Sequence, residues 1–123
     1  MRNRSTVLTG QELEIMKVIW ERESATVRDV YEALLAKRKV AYTTVMTMMK
    51  ILEQKRYLKR TASDRAYVYR PAQPQGQVVG AMVRDFVNRV FNGSAAPLLV
   101  HLVKEHELSA EDLEEIARLR RNK

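Results

Sequence analysis

The sequence predicts a mainly α-helical protein in two parts, with one β-hairpin closing the first part. Three observations carry that expectation. Apolar residues recur with 3.6-residue spacing in six separate segments. One stretch after Lys55 switches to a period of two. The excess positive charge is confined to the front: of 22 Lys and Arg and 15 Asp and Glu, residues 1–72 hold 15 and 8, and residues 73–123 hold 7 and 7. The net charge of +7 therefore belongs to residues 1–72, and the boundary between two domains, 1–72 and 73–123, is expected there.

The first helix is predicted over about residues 10–22. Thr9 and Glu12 have the spacing of a capping box, and Ile15, Met16 and Ile19 turn inward. Thr26 and Asp29 repeat that signature ahead of a second helix whose apolar face is Val27, Val30, Tyr31, Leu34 and Leu35. Lys37, Arg38 and Lys39 close it favourably against the helix dipole. A third helix, about 43–56, should bury Val45, Met48, Met49 and Leu52.

The other side of the third helix carries Thr43, Met46, Thr47 and Lys50 along one stripe, flanked by Thr44. Threonine is a poor helix former, so this concentration has a small propensity cost. Two explanations fit. The threonines can cap the helix start, or they can read DNA: hydroxyls bond base edges or phosphates, methyls touch a thymine methyl, and Lys50 reaches a phosphate or guanine.

Residues 57–61 and 66–70 alternate around a turn at Ser63-Asp64, and Pro71 stops the second strand. Alternation puts Tyr67 and Tyr69 on one face, with Leu58 and Val68 expected as the core-facing pair. Arg60 and Arg65 add cations to this ribbon, Arg65 near its tip, where a positive charge can enter a minor groove or clamp a phosphate. Three helices followed by a basic hairpin is the order of a winged helix-turn-helix. Residues 37–70 carry ten basic groups against Glu53 and Asp64, a field that suits a polyanion.

Other chemistries find little support. The chain has no Cys, so disulfides and thiolate metal sites are excluded, and no cofactor is expected. Four Gly in all, no phosphate-binding glycine loop and no metal-ligand His spacing argue against an enzyme. No export or membrane-spanning segment is read, which makes the cytoplasm the expected location. His101 and His106, five residues apart, do not share a helical face and are read as surface or interface residues. A second function class uses the same basic face: a winged-helix module that docks an acidic protein partner.

The motif "AYTTVMTMMKILEQKRYLKR", followed by "DRAYVYRP" and preceded by "LTGQELEIMKVIW", resembles the penicillinase-repressor and methicillin-repressor family of bacterial transcriptional repressors, which extends to copper-transport repressors. The resemblance runs over roughly residues 7–121 and is strongest over 8–71. It implies a homodimer on a palindromic double-stranded DNA operator, with Thr43, Thr44 and Thr47 on the recognition helix and Arg65 and Tyr67 on the wing. Control of beta-lactam resistance or related stress genes is implied too. This chain departs from the family pattern in several places. It has Lys55-Arg56 where relatives often have Lys-Gly, Ile51 where many have an arginine, and no glycine in the hairpin turn.

The second part should assemble the protein. Residues 71–77, "PAQPQGQ", read as a linker or as the cap of a fourth helix that ends at Asn92-Gly93. That helix is apolar over more than one face, with Val79, Met82, Val83, Phe86 and Val90 as candidate dimer contacts. A short fifth helix adds Leu98, Leu99 and Leu102. A sixth, capped by Ser109 and Asp112, adds Leu113 and Ile116. Three such helices from about fifty residues seldom make a core alone, and a second copy would bury the surplus. In beta-lactam-responsive relatives a membrane sensor protease is thought to trigger repressor cleavage between Asn and Phe in the short helix. The corresponding position here is His101-Leu102.

Overall fold

The computed structural model describes residues 8–63, 66–105 and 108–121. The elements follow as α1 (Gly10–Arg22), α2 (Val27–Leu35), α3 (Tyr42–Gln54), β1 (Leu58–Ala62), β2 (Tyr67–Pro71), α4 (Gln75–Phe91), α5 (Ala96–Glu105) and α6 (Ala110–Arg121). The fold is a winged helix-turn-helix followed by further helices, mainly α as the periodicity predicts.

Local chemistry starts α1 and α2. The Thr9 hydroxyl accepts from the Glu12 amide at 3.1 Å while the Thr9 amide donates to the Glu12 carboxylate at 2.9 Å, and Thr26 with Asp29 makes the same reciprocal pair. Each capping box satisfies two amides that the helix geometry leaves open, worth about 1 kcal/mol. The core is then Ile15, Met16 and Ile19 of α1, Val30 and Leu34 of α2, Val45, Met49 and Leu52 of α3, and Leu58 and Tyr69 from the hairpin, all buried.

Four expectations need correction. Leu35 is 44% exposed, because it is the last residue of α2 and lies off the Val30-Leu34 stripe. Met48 is half-buried, at the edge of the face that Val45, Met49 and Leu52 fill. The hairpin's core partner for Leu58 is Tyr69, not Val68. In the antiparallel register Leu58 faces Pro71 and Arg60 faces Tyr69, so Tyr69 shares the pleat face of Leu58, while Val68, opposite Thr61, lies on the other. Finally, α3 begins one residue early, and its N-cap is Ala41 with no side-chain hydrogen bond, so no threonine caps it.

The wing is tied to the helices at three places. Ala25, in the α1–α2 turn, exchanges both backbone hydrogen bonds with Tyr69 at 3.0 and 2.8 Å, adding a one-residue third strand. The Trp20 indole donates to the Gln73 carbonyl, and the Gln73 amide donates to the Arg56 carbonyl, both at 3.0 Å. The stretch 71–77 is therefore strapped through Gln73 to α1 and to the end of α3, and its last three residues already belong to α4. The third tie runs from the other direction: Arg56 ends α3 at φ 71, with its amide on the Glu53 carbonyl and the Tyr57 amide on the Leu52 carbonyl. That is a Schellman cap carried by a residue with a Cβ, at a cost of about 1 kcal/mol relative to glycine.

Two ion pairs hold α1 in place. Lys55 Nζ meets both Glu12 oxygens at 2.9 and 3.0 Å, nearly buried, so the carboxylate that caps α1 also receives the end of α3. Burial pushes the Tyr57 phenol above its usual range, and the Glu12 carboxylate adds to the effect. Arg38, just beyond α2, donates to Glu14 at 2.8 Å and holds that carboxyl below its ordinary range.

The chain divides into two compact units, one running through Val78 and one from Val79 onward. Val78 is 3% exposed and belongs to the first unit's core, further along the chain than the charge boundary at residue 72. In the second unit Phe86 and Phe91 pack edge to face at 5.9 Å, and His101 lies 5.9 Å from Phe91. Ser109 and Asp112 form the expected capping box on α6. Yet α5 and α6 contain no buried residue. Among the described residues no helix is long and apolar enough to cross a membrane.

Candidate nucleic-acid interface

The buried stripe of α3 faces the core, so its opposite stripe must face outward. Thr43, Thr44, Thr47 and Lys50 are exposed and Met46 is half-buried. Because Ala41 supplies no side-chain acceptor and no acid stands in the first turn, the opening amides of α3 and the positive end of its dipole face solvent. This is an arrangement that favours an anion.

The wing stands beside that stripe. A groove of about 480 Å³ separates them, lined by Tyr42, Met46 and Lys50 from α3 and by Arg60, Ala66 and Tyr67 from the hairpin, with buried Tyr69 also contributing. Thr26, Val27 and Arg28 at the start of α2 complete the wall. Of the sequence-predicted residues, Met46, Lys50, Arg60 and Tyr67 thus share one groove, and Thr43, Thr44 and Thr47 are exposed on the same helix. Arg65 lies outside the described residues, as does His106.

Three residues here have no clear sequence signal. Tyr42, 39% exposed at the first position of α3, packs edge to face on Tyr31 at 5.4 Å. The Arg28 guanidinium lies 5.8 Å from the Tyr42 ring centre and pairs with Glu32 across one helical turn at 3.5 Å. Glu53 pairs through its carboxylate with Arg60 Nε at 3.2 Å, and the Arg60 guanidinium carbon sits 4.0 Å from the Tyr67 ring centre. A heptad-like reading of α3 could have placed Glu53 near its C-terminal turn, but its partner lies on a strand whose approach is set by packing.

In the second unit, Val79, Val83, Phe86, Val90, Leu99 and Ile116 are 38 to 50% exposed. Met82, Leu98, Leu102 and Leu113 are half-buried. His101 is exposed and, with Leu102, sits inside α5. No group of three or more His, Cys, Asp or Glu able to hold a metal ion is found among the described residues.

Comparison with known proteins bears on the family and the fold. The chain is 40% identical over 101 residues to the transcriptional regulator BlaI of Mycobacterium tuberculosis, covering 80% of this chain and 73% of that one. It is 28% identical over 109 residues to the penicillinase repressor of Bacillus licheniformis, covering 89% and 85%. Among solved structures, the DNA-binding domain of the repressor BlaI superposes with a TM-score of 0.53 at 28% identity, over 60% of this chain and 90% of that one. The Bacillus licheniformis BlaI monomer in complex with the blaP half-operator gives 0.50 at 30%, over 56% and 84%. Residues 8–121 match the penicillinase repressor family as a whole, and the chain belongs to that family of transcriptional regulators.

Proposed function

We propose that this protein is a sequence-specific transcriptional repressor that binds a palindromic double-stranded DNA operator as a homodimer. The observation that carries the reading is the exposed threonine-lysine stripe of α3 beside a cationic wing, in a chain whose relative was solved on a half-operator. In this reading Thr43, Met46 and Thr47 enter the major groove and contact base edges, where hydroxyl and methyl groups discriminate. Thr44, Lys50 and the uncapped amides of α3 meet phosphates, and Arg60, Arg65 and Tyr67 follow the flanking backbone. Arg28 and Tyr42 join them at the start of the helix-turn-helix.

The domain boundary proposed from charge, near residue 72, separates reading from assembly. Dimerisation covers the exposed apolar side chains of α4 to α6, and a twofold dimer presents two α3 helices to two half-sites. The genes controlled are beta-lactam resistance or related stress genes, in the cytoplasm. Repression is relieved by proteolysis in α5 triggered through a membrane sensor protease. His101-Leu102 stands where relatives present Asn-Phe, within a helix that must open before any protease can reach the bond.

The test is selection of a binding duplex from a random pool by the full chain, followed by salt titration. Enrichment of a symmetric site is expected, with affinity falling steeply as salt rises and the selected site outlasting random sequence. Thr47→Ala should change the preferred sequence, while Lys50→Ala lowers affinity on all sequences and reduces the salt slope by about one. Lack of enrichment with a flat salt dependence overturns the reading. Docking of an acidic protein on the same face would then be the better account, since it needs the cations and not the threonines.

A further inference from the structure

Glu53 is an acid beside a groove whose charged lining residues, Arg28, Lys50 and Arg60, are all cations. It stands one residue from the end of α3, with its side chain 32% exposed, and its carboxylate takes the Nε edge of Arg60 at 3.2 Å. Arg60 is on β1, opposite Tyr69 and on the same pleat face as Tyr67, whose ring centre lies 4.0 Å from the guanidinium carbon. Two of the faces by which an arginine can reorient are thereby taken, one edge by an ion pair with a carboxylate and one face by an aromatic ring. Among the described residues nothing pairs with the edge that carries the two terminal nitrogens, and Arg60 lines the groove between α3 and the wing.

We propose that Glu53 is a positioning residue: with Tyr67 it holds the Arg60 guanidinium as a ready-made fork for one phosphate of the DNA backbone. This rests on the DNA-binding reading above and says how one of its contacts is organised. Arginine loses much rotamer freedom when it engages a phosphate, and a side chain ordered beforehand has less to lose. The carboxylate also repels the approaching phosphate. Since both side chains of the pair are about one-third exposed, that repulsion is screened by water and salt, to a factor of about two or less in affinity. Ordering, worth about fivefold, outweighs it. The two effects have opposite signs, which makes them separable.

The experiment measures affinity of the full chain for the duplex it selects from a random pool, with Glu53→Ala made both alone and in an Arg60→Ala background. Glu53→Ala should weaken binding by about fivefold even though it removes a negative charge, and should do nothing further once Arg60 is gone. Glu53→Gln, which keeps an acceptor oxygen and the side-chain volume, should lose less, and Tyr67→Leu should weaken binding like Glu53→Ala. Arg60→Ala should lower affinity on selected and random duplexes alike. Thermal melts of each variant verify that it is folded. Tighter binding by Glu53→Ala, or the same loss in the Arg60→Ala background, overturns the positioning role, and a change of base preference in Arg60→Ala overturns the phosphate assignment. A wild-type chain that selects no duplex would instead bring down the DNA-binding reading, and this inference with it.

Discussion

Lys55 and Glu12 show how a single contact can serve two elements. Glu12 is 5% exposed, and its carboxylate closes the capping box of α1 while receiving the ammonium at the end of α3. A buried pair of this kind gains little over an apolar one, but removing one partner leaves the other desolvated. Lys55→Ala should therefore cost about 2 kcal/mol of stability, less than the roughly 3–5 kcal/mol of a broken buried pair, because Glu12 keeps its bond to the Thr9 amide. Glu12→Gln in the same chain should recover part of the loss. Denaturant titration of the single and double variants checks both expectations. The capping role of Glu12 was legible from its spacing to Thr9. Its second role was not, because Lys55 is distant in sequence and meets Glu12 only when α1 and α3 pack.

Among the elements, α3 differs from α1 and α2 at its start. The latter two are closed by capping boxes, whereas α3 opens on Ala41 with its first amides unbound by any side chain. A serine at residue 41 would accept from one of those amides and stabilise the helix. Ala41→Ser is thus expected to raise stability by about 0.5–1 kcal/mol while lowering DNA affinity, since the hydroxyl competes with phosphate for the same donors. Parallel thermal melts and binding titrations test this, and a gain in both quantities would show that the helix start does not meet the DNA. The hairpin teaches a related lesson. Its period of two was plain in the sequence, yet Tyr69, not Val68, fills the core, because register and the bridge to Ala25 decide which pleat face turns inward.

At the scale of the whole molecule, the first unit has a core and the second has an exposed apolar surface. Phe86 is 40% exposed, Val83 and Val90 are about half exposed, and no residue of α5 or α6 is fully buried. Burying such side chains against a second copy gives roughly 25 cal/mol per Å² of apolar area, which a polar substitution would forfeit. The proposed dimer predicts that Phe86→Glu shifts sedimentation from dimer to monomer. It should also weaken operator binding far more than it weakens a single half-site, since two linked reading heads add their contacts. A wild-type chain that sediments as a monomer at micromolar concentration would count against the dimer.

The sequence by itself determined where the helices begin, through side chains that bond amides three residues away, and which stripes are apolar, through a repeat that any reader can count. It also placed the excess charge in the first part of the chain and carried the motif that the family shares. Tertiary structure decided what meets across elements: Tyr69 with Ala25, Lys55 with Glu12, and Glu53 with Arg60 and Tyr67. Those contacts depend on the angle at which helix and wing pack, a quantity summed over the whole core. No short stretch of residues encodes it.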